Sequence, residues 1–144
     1  MKRTIYLILA FMAILVIACN NPKKAVIENP FAGAWEVIYT KAVYPDTTYE
    51  TTKFTNPSVK LLTNKHFSFG YQSDTNMVVG GGGEYTYDGD TYTEYVKYHN
   101  YSGFVGQTVN FKSKIEGDLW TISYSVKLDT IQVDATEIWK RIPE

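Results

Sequence analysis

Glu94 and Glu137 each interrupt a stretch of aromatic and branched residues that alternates like a β-strand. Tyr92, Glu94 and Val96 share one face of theirs, and Glu137 shares a face with Trp139. A carboxylate on such a face needs hydrogen-bond donors or a raised pKa. Three readings follow for Glu94: neighbouring Tyr hydroxyls hold it in a core network, it faces a ligand, or a register error leaves it in solvent. Glu137 has the same readings, with a salt bridge to a Lys as its structural alternative. Two carboxylates could also work as a glycosidase-like pair, but nothing in the sequence sets their separation.

Other reactive constellations are incomplete. His66 and His99 are the only histidines, far apart and both predicted on outward faces, so no metal site is expected. No Ser is paired with either His, and Cys19 is the only cysteine. The run Gly80-Gly81-Gly82-Gly83 lacks the Lys-Ser/Thr and the helix that make a phosphate-binding loop work, and is predicted to be a bulge or a close backbone approach. No catalytic residue, metal or cofactor is expected, and the chain is not read as an enzyme.

The elements that must position the two carboxylates are strands. Phe67, Phe69 and Tyr71 alternate with Ser68 and Gly70, and Val109, Phe111, Ser113 and Ile115 alternate with polar residues. Similar stretches run over 34–41, 59–62, 83–87, 91–99, 118–127 and 135–142, punctuated by turn chemistry such as Asp88-Gly89-Asp90 and Glu116-Gly117-Asp118. The segment 43–58, with Pro45 and Pro57, reads as a further strand or a lid-like loop. About eight strands joined by hairpins, with no helix among them, predict a single antiparallel up-and-down β-barrel over residues 31–144, since closure removes exposed edges. An interior of that size either fills with side chains or holds one small ligand.

Alternation places Trp35, Val37, Tyr39, Phe69, Tyr85, Tyr87, Tyr92, Tyr98, Phe111, Trp120, Tyr124 and Trp139 inside with Glu94 and Glu137. The candidate ligand-binding set is Glu94, Glu137, Tyr85, Tyr87, Tyr92, Tyr98, Phe69 and Trp139, with Tyr85 and Tyr87 close enough to donate hydrogen bonds to the carboxylates. An interior with acidic groups, aromatic walls and no inward Arg suits a small apolar or aromatic molecule, uncharged or cationic, over an anionic lipid.

The N-terminal stretch sets a different expectation. Lys2 and Arg3 precede an apolar run from Ile5 to Ile17, which ends in Val16-Ile17-Ala18-Cys19 before the polar Asn20-Asn21-Pro22-Lys23-Lys24. The run is shorter than the roughly 20 residues a membrane-spanning helix needs, and it reads as a secretory leader over 1–18. The tetrapeptide resembles the lipobox of bacterial lipoproteins. That resemblance implies that Cys19 is diacylated and becomes the new N-terminus, with 19–30 as a tether and the membrane contacted only through lipid. The expected address is the bacterial cell envelope, at the periplasmic face of the outer membrane. Without Lys2 and Arg3, 12 basic residues face 15 acidic ones, a net of −3 over 126 residues. The basic residues are scattered along the chain, so no nucleic-acid partner is expected.

Gly33-Ala34-Trp35 opens the first strand and Glu137-Ile138-Trp139-Lys140-Arg141 closes the last. The pair resembles the lipocalin and calycin superfamily, in which a GxW motif lies under a cationic residue of the last strand. With Tyr92-x-Glu94 and Gly117-Asp118-x-Trp120, the segment from Gly80 to Ile142 also resembles small lipocalin-like domains of secreted bacterial lipoproteins. The resemblance implies that Gly33, Trp35 and Arg141 close one end of the barrel. It also implies a binding function, with an interaction module that has a filled core and contacts another envelope protein as the alternative. The closing strand carries Glu137 and Trp139 where the intracellular fatty-acid binders carry Arg-x-Tyr, which argues against a fatty-acid anion.

Overall fold

A computed structural model describes residues 29–73, 76–128 and 130–143. Cys19, the expected leader and the expected tether up to residue 28 lie outside the described residues. The strands are β1 (Gly33–Val43), β2 (Thr48–Thr51), β3 (Val59–Leu62), β4 (His66–Ser73), β5 (Asn76–Tyr87), β6 (Thr91–His99), β7 (Thr108–Glu116), β8 (Leu119–Leu128) and β9 (Ile131–Arg141). A short 3-10 turn, Ser102–Phe104, joins β6 to β7.

Each strand from β3 to β9 pairs antiparallel with the next, and β1 pairs with both β3 and β9. Eight strands therefore close into an antiparallel barrel without a free edge at the seam. The ninth, β2, folds back as a hairpin on the far half of β1, pairing Val43 with Thr48 and Thr40 with Thr51. The segment 43–58 thus supplies a strand and then a loop, 52–58, rather than one or the other.

Three shifts of register bend the sheet. In β1 the pairing with β9 slips between Val37 and Tyr39, so Trp35 and Val37 point inward before the slip and Thr40 and Ala42 line the interior after it. Tyr39, predicted inside, is turned out. In β6 Lys97 is the extra residue, because Gly82 opposes Tyr98 while Gly83 opposes Val96. Tyr92, Glu94 and Val96 are buried, but beyond Lys97 the parity reverses, leaving Tyr98 57% exposed and turning His99 toward the interior. The third slip, between Tyr71 and Gln72, lies in the β4–β5 ladder.

The glycine run explains the close passage of β5 past its neighbours. A Cβ on Gly83 would sit 2.0 Å from the carbonyl oxygen of Tyr95, and one on Gly82 would sit 2.6 Å from that of Phe67. Backbone cannot give way as a side chain can, so the run is a close approach of strands, as its composition predicted.

The core is concentrated at one end of the barrel. Phe31, just ahead of β1, is 1% exposed and contacts the rings of Tyr85, Tyr87, Tyr92 and Trp120 at centroid distances of 4.7–6.3 Å. Trp35 and Trp120 are fully buried and meet edge to face at 5.4 Å. The indole N–H of Trp35 donates to the Phe31 carbonyl at 2.8 Å, so the plug and the first strand are locked together.

Candidate functional site

The sealed end owes its closure to the first and last strands. Trp35 is the register partner of Arg141, and the guanidinium carbon of Arg141 lies 4.0 Å from the Trp35 ring centroid. The same guanidinium donates to the carbonyls of Ala32 at 2.8 Å and Pro30 at 2.7 Å. Gly33 leaves room for this arrangement: its φ is +124°, and a Cβ there would stand 3.0 Å from a guanidinium nitrogen.

Beyond this floor the barrel opens into a cavity of about 1320 Å³, walled by all the barrel strands and bordered at its mouth by Lys53, Phe54, Asn56, Tyr101 and Phe104. Glu94, Glu137, Phe69 and Trp139 of the predicted set line it. The other four members do not. Tyr92 is wholly buried beneath the cavity in the aromatic plug. Tyr85 is buried there too, and its hydroxyl donates to the Thr63 carbonyl at 2.6 Å while accepting from the Asn29 amide at 2.6 Å. Tyr87 lies at the rim of the closed end, its hydroxyl bonded to the Gly89 carbonyl. Tyr98 is outside because of the Lys97 bulge. The expected hydrogen bonds from Tyr85 and Tyr87 to the carboxylates are therefore replaced by others.

Glu94 is 4% exposed, and its Oε1 accepts from Lys60 Nζ at 2.7 Å and from the Tyr92 hydroxyl at 2.9 Å. Lys60, also 4% exposed, was not among the predicted site residues. In β3 the buried positions are Lys60 and Leu62 and the exposed one is Leu61, the reverse of what lysine and leucine ordinarily mark. The ammonium lies 5.1–5.9 Å from the centroids of six rings, those of Phe67, Phe69, Tyr92, Phe111, Trp120 and Trp139. The absence of an inward arginine thus does not mean an absence of inward cationic charge. Burial first, then the Glu94 charge, pushes the Tyr92 hydroxyl far above its usual range, so it remains a donor.

Glu137 is held differently. Tyr124 donates to its Oε1 and the Trp139 indole to its Oε2, each at 2.8 Å. Among the described residues, no Lys, Arg or His lies within ion-pair distance of it. Burial, followed by the charges of Glu137 and Glu94, raises the Tyr124 pKa well above normal, so this hydroxyl also stays protonated.

His99, predicted to face outward, is part of the cavity wall, with its ring against Phe69 and Phe104 at 5.7 and 4.8 Å. Burial lowers its pKa. The Tyr101 backbone N–H donates to Nδ1 at 2.9 Å, which requires that nitrogen to be unprotonated. Phe31, Phe54 and Phe104 also escaped prediction, since they stand on loops or turns where no alternation marks an inward face. Among the described residues, no group of three or more His, Cys, Asp or Glu side chains is arranged to hold a metal ion.

A barrel with this buried aromatic cluster and open interior has the capacity to enclose a small apolar or aromatic molecule. Among solved structures, a lipocalin-like protein from Bacteroides uniformis ATCC 8492 is similar at 14% identity and a TM-score of 0.46, over 77% of this chain and 97% of that one. A variant of the vaccine antigen transferrin-binding protein B from Haemophilus parasuis Hp5 is similar at 13% identity and a TM-score of 0.46, over 79% of this chain and 27% of that one. No curated protein matches the chain. A family model described as a domain of unknown function, DUF4488, matches residues 30–144, which is the whole barrel, and the chain belongs to that family.

Proposed function

We propose that this protein is a lipid-anchored, non-enzymatic binding protein of the bacterial cell envelope, whose barrel encloses a small, largely apolar or aromatic molecule. The observation that carries the binding part is the cavity itself. At about 1320 Å³ it exceeds the space that tight side-chain packing leaves, and it sits on a rigid aromatic floor. Its two carboxylates are fixed in place by neighbours, as orientation of a ligand requires: Glu94 by Lys60 and Tyr92, Glu137 by Tyr124 and Trp139. An interaction module with a filled core would lack such a space.

The anchoring part rests on the leader-like run and Cys19 in the sequence, with the periplasmic face of the outer membrane as the proposed address. Native mass spectrometry of the protein purified gently from its own host tests the binding reading. A co-purifying small molecule, released on denaturation, is the expected result. A bare protein that also fails to take up any apolar or aromatic probe would overturn it and return the interaction module to first place.

A further inference from the structure

The charges inside the cavity do not cancel. Lys60 and Glu94 form a closed pair at 2.7 Å, each almost fully withdrawn from water. Glu137 also lines the cavity, half-buried, and receives two neutral donors, a phenol and an indole, with no cationic partner among the described residues. His99, in the same wall, has a lowered pKa and accepts at Nδ1, so it contributes no positive charge at neutral pH. Lys53 borders the mouth but is exposed, where solvent screens it. One carboxylate therefore faces the interior without an ion-pair partner among the described residues.

We propose that the cavity selects a ligand with a cationic head, an ammonium or similar group, on an apolar body, and that Glu137 receives the charge. This rests on the reading of the barrel as a binding protein and names the class of molecule it takes. A carboxylate offers about four lone-pair sites, and Tyr124 and Trp139 occupy two, so acceptor capacity remains. Trp139, Phe111 and Tyr124 line the same cavity, and the face of an aromatic ring attracts a desolvated cation. An anionic head meets the opposite situation. Among the described residues the only buried ammonium is engaged by Glu94, and an anion that drew Lys60 away would leave Glu94 buried against a second negative charge.

The test uses three probes of one chain length, octylamine, octanol and octanoate, titrated by calorimetry into the full protein held in zwitterionic nanodiscs, with empty nanodiscs subtracted. Octylamine is expected to bind at least about tenfold more tightly than octanoate, with octanol between them. Glu137→Gln, which keeps the shape and an acceptor, is expected to abolish the amine preference and leave octanol affinity within about twofold. Octanoate binding as well as octylamine, or an amine preference that survives Glu137→Gln, would overturn the proposal while leaving the binding function intact. Failure of all three probes would overturn both. Should Glu137→Gln not fold, Tyr124→Phe serves instead. It removes one of the two donors on Glu137 and is expected to increase the amine preference; an unchanged or reduced preference would count against the proposal.

Discussion

Lys60 reaches across the barrel from β3 to β6 and places its ammonium 2.7 Å from Glu94 Oε1, in a box of aromatic rings. Two charges in such a place depend on each other, because removing one leaves the other buried and unpaired. Lys60→Met and Glu94→Gln are each expected to lower stability by about 3–5 kcal/mol for the charge left behind. The double variant should recover most of that loss. Urea unfolding of the four proteins measures it, and additive losses in the double variant would contradict the coupling.

Trp35 and Arg141 form the other long-range pair. Trp35→Ala removes a fully buried indole, its hydrogen bond to Phe31 and the stacking surface for the guanidinium, and should cost about 3–5 kcal/mol. Arg141→Lys keeps the charge but cannot reach the Pro30 and Ala32 carbonyls with the same fork. A loss of about 1–3 kcal/mol is expected in denaturant unfolding, against no change if charge alone mattered.

Gly83→Ala tests the close passage of β5 over β6. With a Cβ 2.0 Å from a backbone oxygen, the strands must separate, and a thermal melt should show a loss of at least about 1–3 kcal/mol.

His99 makes stability depend on pH. Burial lowers its folded pKa below the ordinary value of 6.5, so the unfolded chain binds the proton more readily. Its contribution is therefore fully present above about pH 6.5 and is lost as pH falls through the lowered folded value. Melting temperature followed from pH 8 to pH 4 should fall less steeply in His99→Gln than in the parent; parallel curves would contradict the assignment.

Cys19→Ser tests the proposed anchor. The variant should remain unprocessed or move to a soluble fraction and lose lipid labelling, since only a thiol is acylated at that position. Unchanged fractionation and labelling would refute anchoring through Cys19.

Much of the barrel was legible because period-two alternation and hairpin turns are local signals. Phe67 and Phe69, or Val109 and Phe111, declare an inward face without any knowledge of their neighbours. What failed was parity across bulges. A single extra residue at Lys97 turns Tyr98 out and His99 in, and the slip beside Ile38 does the same to Tyr39 and Thr40. Bulges depend on how two strands meet, and one strand's composition shows only half of that. Lys60 was missed for another reason: lysine on a short strand ordinarily marks the solvent side, and only the need of Glu94 for a partner argues otherwise. Phe31, in turn, sits where no periodicity exists to interpret.

The plug at the base also fixes how the domain can be pulled and approached. The chain enters through Asn29 and Phe31, beneath Trp35 and beside Arg141, on the side of the barrel opposite the mouth. A pull on the chain at Asn29 is therefore taken first by the buried rings of Phe31, Trp35 and Trp120 and by the seam of the first and last strands. The mouth, at the far end, is turned away from the point where the chain enters the barrel.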